Sequence, residues 1–135
     1  MFTLGAAAAA MVLAATPAAA VDITTTTTVS VLGTVATTCP VTVTATVTPV
    51  TPPTPVFTGG TVVFKDGNTP IGVAAAVTNG TASVNHTFTT TGMHVVVATF
   101  GGVTIGTNVF KSSTFTLNIN VATGLNLGSA CLPIG

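Results

Sequence analysis

The fold is decided by residues 41–48, which read VTVTATVT. Small apolar side chains alternate there with threonines, and a period of two places the two sets on opposite faces of an extended strand. Valine and threonine are both β-branched, which favours a pleated strand over a helix. The stretch therefore predicts a strand that buries its valines and exposes its threonines.

The same alternation recurs along the chain. The positions predicted to face inward are Val62 and Phe64; Ala82, Val84, His86 and Phe88; His94, Val96, Ala98 and Phe100; and Phe115, Leu117, Ile119 and Val121. Turn signals separate these runs, namely Asp66-Gly67-Asn68, Asn79-Gly80, Thr91-Gly92 and Gly101-Gly102. With residues 23–32 as a first strand and 71–77 as a short middle one, the pattern predicts an all-β, seven-stranded antiparallel immunoglobulin-like sandwich.

Residues 49–55, PVTPPTP, interrupt the alternation after the second strand. Proline has no backbone N–H for a β-ladder, so we expect this segment to be an extended surface connection to the third strand rather than strand interior. A stretch rich in proline and threonine is also typical of an O-glycosylated spacer.

Charged residues make up only 3% of the 135 residues, and the formal net charge is zero. The four are Asp22, Lys65, Asp66 and Lys111. A nucleic-acid-binding protein needs clustered Lys and Arg to neutralise phosphates, so no nucleic acid is expected as a partner. Solubility must depend on hydroxyl and amide groups, and a nearly uncharged surface favours self-association.

Residues 1–20 have the composition of a secretory signal peptide. An apolar run precedes Pro17, and the triplet Ala18-Ala19-Ala20 matches an A-x-A cleavage site before Val21, although no basic residue precedes the run. A transmembrane anchor is the alternative, but the run is short and no basic stop-transfer residues follow it. We therefore expect a secreted or cell-surface protein without a membrane span after signal removal.

The predicted organisation is a signal peptide at 1–20, a sandwich domain at 21–121 and a C-terminal tail at 122–135, which either clasps the domain or extends away from it. Cys39 and Cys131 are the two cysteines. An even number in an exported chain predicts a disulfide between them, because the second strand starts at the pole where the last strand ends. A metal pair with the histidines and two free thiols are the alternatives.

No catalytic constellation is apparent, so we predict no enzyme activity, catalytic residue, cofactor or metal. Asp22 and Asp66 are the only carboxylate side chains and are not expected to meet, and no serine lies in a G-x-S-x-G motif. His86 and His94 would make a poor metal site without a third ligand. We expect neutral histidines at the edge of the core, hydrogen-bonded to a carbonyl.

From Val41 onward, the chain resembles the group 3 type of bacterial immunoglobulin-like repeat domain. The matching stretches are residues 41–49, 60–67, 69–72, 79–82 and 92–100. Two departures are Phe100, where that family usually has tyrosine, and the lack of an acidic residue after Gly101, which leaves no case for calcium. The resemblance implies extracellular structural or adhesive work without chemistry.

The alternation also predicts an outward-facing patch of valines on neighbouring strands, formed by Val63, Val95 and Val97. Several exposed valines beside polar neighbours are typical of an interaction face, whereas retention for strand propensity alone is the alternative. We expect an exported, non-catalytic module for cell-surface structure, adhesion or protein interaction. Its partner would be a protein or cell-surface component, including a second copy of the chain.

Two other functions stay open from the sequence. A module that binds an apolar or sugar ligand would need a deep pocket lined by phenylalanines and the histidines, and the chain has no Trp or Tyr on which a sugar could stack. A self-assembling fibre subunit would form oligomers that grow with concentration.

Overall fold

The computed structural model describes residues 19–134, and these form strands and loops without a helix. The all-β prediction is therefore confirmed for this part of the chain. The predicted signal peptide at 1–20 lies outside the described residues, apart from its last two positions. Residues 19–134 accordingly contain no apolar helix of membrane-spanning length.

The strands are β1 (Val21–Leu32), β2 (Pro40–Thr51), β3 (Thr61–Asp66), β4 (Thr69–Pro70), β5 (Ala75–Ala76), β6 (Thr81–Thr87), β7 (Gly92–Phe100), β8 (Val103–Ile105), β9 (Asn108–Phe110), β10 (Ser113–Val121), β11 (Gly124–Asn126) and β12 (Cys131–Pro133). The described residues thus hold twelve strand segments instead of the seven predicted. Of the predicted strand at 71–77, only the two residues of β5 are strand, and the short β4 lies just before it. Segments of two or three residues are too short to show an alternating pattern.

Two five-stranded sheets and a small hairpin contain these strands. One sheet has the order β6-β2-β1-β9-β8, the other has β10-β7-β3-β4 with β5 also paired to β3, and β11 pairs with β12. All pairs are antiparallel except β1 with β9, where Val21–Ile23 run parallel to Asn108–Phe110. The fully antiparallel prediction is wrong at this point. Parallel neighbours need a long connection, and almost the whole domain lies between these two strands.

The core lies between the two large sheets and contains many of the predicted inward positions, together with Phe57, Ile71, Val77 and Phe110, which the alternation did not predict. On β2 the odd-numbered residues from Val41 to Val47 are buried, whereas their threonine neighbours are partly or fully exposed. Phe64, Phe88 and Phe100 are the largest fully buried side chains. Each phenylalanine buried in this way stabilises the fold by about 1.5–3 kcal/mol relative to an exposed one.

Hydroxyl groups cover the outer face of β1, β2 and β6. Some of them bond across strands, as Thr44 does with the hydroxyl of Ser83 at 2.9 Å, and Thr42 donates to Asn85 Oδ1 at 3.1 Å. The hydroxyl groups of this face interact with water, so the surface is solvated without charged side chains.

The second strand extends further than expected, because Pro49 belongs to the strand and not to the connection that follows it. β2 continues through Pro49 to Thr51, and the proline is buried. Pairing between β2 and β6 ends at Thr46, and the register between β1 and β2 shifts beside Pro49, between Thr24 and Thr25. A residue without an N–H is tolerated where the ladder is already interrupted.

Candidate functional site

The disulfide predicted from the sequence is present in the structure. Cys39 is buried in the loop before β2, Cys131 opens β12, and their Cα atoms lie 5.6 Å apart. The bond therefore ties the C-terminal hairpin to the loop between β1 and β2.

The tail returns to clasp the domain. The side-chain amide of Asn126 donates to the Thr38 carbonyl at 3.0 Å, and the Thr34 hydroxyl donates to the Cys131 carbonyl at 3.3 Å. The N–H of Gly124 donates to the Thr37 hydroxyl at 3.0 Å. Backbone and side-chain bonds thus hold the hairpin on the same loop that the disulfide reaches.

This hairpin also exposes four large aliphatic side chains, which we call the hairpin ridge: Leu125, Leu127, Leu132 and Ile134. Their exposed fractions run from 43% for Leu125 to 59% for Ile134. Leu125 and Leu132 are direct cross-strand partners. The sequence analysis did not predict this surface. The leucines that follow the last long strand could have indicated it.

The valine face predicted from the sequence comprises Val63, Val95 and Val97, and it lies on the outer side of the β10-β7-β3-β4 sheet. Val63 and Val95 are 39% and 38% exposed, and Val97 is half-buried. Val97 lies between Lys65 on β3 and Thr116 on β10. The predicted side-chain directions thus agree with the structure, whereas a role in binding stays a prediction.

A polar cluster with an ionisable pair joins β3, β7 and the loop before β7 at the edge of the core. His94 Nδ1 lies 2.6 Å from Asp66 Oδ2, and His94 Nε2 lies 2.8 Å from the Thr90 carbonyl oxygen. The side chains of His94 and Asp66 are only 12% and 22% exposed. The carbonyl bond matches the expectation for a core-edge histidine, but the carboxylate partner was missed, because Asp66 was assigned a turn role alone.

The pKa values of the two histidines are shifted in opposite directions. Burial by itself would lower the pKa of His94, but its hydrogen bonds to Asp66 and Thr90, together with the attraction of the Asp66 carboxylate, outweigh burial and raise that pKa. Burial lowers the pKa of His86; Asp66 opposes this effect and His94 adds to it. His94 therefore keeps its proton to a higher pH than an ordinary imidazole does, whereas burial favours the neutral form at His86.

The rings of the two histidines do not converge on one ligand. The Phe88 ring packs edge-on against both, with centroids 4.7 Å from His86 and 4.8 Å from His94. Within residues 19–134, no three His, Cys, Asp or Glu side chains are arranged to hold a metal ion. Asp22 lies near Lys111 at 4.0 Å and not near Asp66.

A shallow open depression of about 390 Å³ lies beside β8 and β9. It is lined by Gly101, Gly102, Val103, Thr104, Val109, Phe110, Lys111 and Ser112. Neither histidine takes part, so this depression is not the deep pocket that an apolar or sugar ligand would require.

Most of the chain matches a known protein family. Neither the curated proteins nor the solved structures contain a match to this chain. Residues 23–122 match the bacterial Ig-like domain (group 3), and this range covers β1 to β10 and most of the chain. The chain is therefore a member of the bacterial Ig-like domain family, group 3.

Proposed function

We propose that this chain is an exported, non-catalytic Ig-like module that serves cell-surface structure, adhesion or protein interaction. The family match over residues 23–122 carries the proposal, because domains of this family are generally non-catalytic and often extracellular. The Cys39–Cys131 disulfide supports export, since such bonds persist in oxidising compartments.

The valine face is the contact surface that we propose for a protein partner or a second copy. It combines apolar side chains with threonine neighbours on three hydrogen-bonded strands, and the exposed Lys65 lies beside Val97 on the same face, where a partner would have to supply an acidic or carbonyl group for its ammonium. The low net charge of the chain also removes the repulsion that would keep copies apart.

The hairpin ridge is a second candidate contact, favoured by its greater exposure. Leu127 and Ile134 are 57% and 59% exposed, compared with 39% for Val63. The disulfide fixes the ridge on the domain, so that binding there would cost little ordering of the chain. The two surfaces can be tested separately because they lie on different sheets.

The test measures molar mass by light scattering over a range of concentrations and attachment of the labelled protein to the surface of the producing cells. Val95→Thr with Val97→Thr should weaken one or both while leaving the circular dichroism spectrum unchanged. Leu125→Ser with Leu132→Ser examines the hairpin ridge in the same way. The matched control is Val73→Thr, since Val73 is 84% exposed in the loop between β4 and β5.

Each outcome has a defined meaning. Loss in the Val95/Val97 variant alone supports the valine face, and loss in the Leu125/Leu132 variant alone moves the contact to the hairpin ridge. Wild-type protein that stays monomeric at all concentrations and does not attach to cells would contradict an interaction module. Mass that rises without limit as concentration increases would favour the fibre subunit.

A further inference from the structure

Both ring nitrogens of His94 face hydrogen-bond acceptors. Nδ1 lies 2.6 Å from Asp66 Oδ2, and Nε2 lies 2.8 Å from the Thr90 carbonyl oxygen. A neutral imidazole has one N–H, whereas an imidazolium has two. Only protonated His94 can donate to both acceptors at once.

The two acceptors belong to separate parts of the fold. Asp66 is the last residue of β3, and Thr90 lies in the connection between β6 and β7. That connection also contacts the end of the molecule that carries the disulfide, because the Thr38 N–H donates to the Phe88 carbonyl at 3.3 Å. The protonation state of His94 therefore affects how strongly the β6–β7 connection is held to the rest of the sandwich.

We propose that His94 is a pH-sensitive latch, which as an imidazolium ties the β6–β7 connection to the end of β3 and releases the Thr90 carbonyl when it loses a proton. In the neutral ring that keeps its Nδ1–H on Asp66, the Nε2 lone pair faces the carbonyl oxygen. The Thr90 hydroxyl, 3.1 Å from Nε2, can then donate to the ring. The Thr90 carbonyl then loses its hydrogen bond to the ring and is hydrated by solvent, so the connection becomes more mobile.

The charged groups around the His94 ring determine whether the latch is closed at acidic or at alkaline pH. Asp66 on β3 favours the imidazolium, and His94 in turn lowers the pKa of His86 on β6, across the Phe88 ring. Lys65 projects from the opposite face of the sheet, and Asp22 and Lys111 are near one another elsewhere. Because Asp66 and Thr90 together outweigh burial, the latch is closed at acidic pH and opens as the pH rises through the elevated pKa of His94.

The test uses the intact chain and side-chain NMR of the imidazole nitrogens between pH 5 and 9. His94 should carry protons on both nitrogens to a higher pH than His86 does. Amide hydrogen exchange of Thr38, whose N–H donates to the Phe88 carbonyl of the connection, should accelerate about tenfold or more through the His94 midpoint after correction for the intrinsic pH dependence of exchange. Amides in the centre of β2 should show no such step.

Variants separate the latch from general stability. Asp66→Asn should lower the His94 midpoint by about one pH unit or more and move the exchange step to the same lower pH. The matched control is His86→Gln, which removes the other imidazole and should leave the exchange step in place. A His94 midpoint at or below that of His86, or corrected exchange that does not change through the His94 midpoint, would overturn the proposal. The wild-type titration decides even if Asp66→Asn fails to fold.

Discussion

The ring of Phe57 stacks on the ring of Phe110, with centroids 4.1 Å apart and planes inclined by 18°. Phe57 follows the proline-rich connection, whereas Phe110 ends β9, and both are buried. Phe57 also contacts the ring of Phe100 on β7 at 5.6 Å. One side chain of a long loop thus joins strands of both large sheets.

Replacement of Phe57 by alanine should therefore lower the free energy of unfolding by about 3–5 kcal/mol, because it removes buried area and leaves a cavity between the two other rings. Chemical denaturation followed by circular dichroism measures the change. Val56→Ala, which alters an exposed neighbour, is the control and should cost less than about 1 kcal/mol. A Phe57→Ala effect as small as the control's would mean that the loop is not part of the core.

Reduction of the Cys39–Cys131 bond should destabilise the domain. The bond spans 92 residues, and the chain-entropy model assigns a loop of that length on the order of 4 kcal/mol. Melting temperatures with and without reductant should differ by about 10 °C or more. The double variant Cys39→Ala with Cys131→Ala should melt like the reduced protein and no longer respond to reductant. Free thiols titrating in protein purified without reductant would contradict the bond.

Stability should pass through a maximum near pH 6.5, the ordinary histidine pKa. The raised pKa of His94 contributes stability that is complete below 6.5 and is lost as the pH rises through the elevated value. The lowered pKa of His86 acts in the opposite sense, because folding disfavours its proton and stability falls as the pH decreases below 6.5.

Urea denaturation at intervals between pH 5 and 8 measures this profile. His94→Gln should flatten the decline on the alkaline side, and His86→Gln should flatten the decline on the acidic side. A profile that His94→Gln leaves unchanged above pH 6.5 would show that the Asp66–His94 contact does not contribute to stability in solution.

Export should remove residues 1–20. The small residues Ala18, Ala19 and Ala20 precede Val21, the first residue of β1, so cleavage there would leave the strand intact. N-terminal sequencing of the exported protein should begin at Val21. Ala18→Leu with Ala20→Leu should block processing, and a mature protein that retains Met1 would exclude the predicted signal peptide.

The sequence by itself determined the long strands and their faces. Alternation at Val41–Val47, Val62–Phe64 and Val96–Phe100 predicted which side chains are buried, because a period of two leaves only two choices of face and the apolar set selects one. The outward direction of Val63 and Val95 follows from the same rule. The even number of cysteines in a chain expected to be exported favoured the pairing of Cys39 with Cys131 over a metal pair or free thiols, and the structure contains this disulfide.

Only the tertiary structure decided the contacts between segments distant in sequence. Asp66 and His94 are 28 residues apart, and their separate strand patterns carry no information that the end of β3 lies beside the beginning of β7. The same holds for the parallel pairing of β1 with β9, which depends on the return of the chain to β1. It also holds for the hairpin ridge, which depends on the return of the C-terminal residues to the loop between β1 and β2. Short strands and side-chain partners of this kind are set by which distant segments pair in the folded chain, and local periodicity does not encode that pairing.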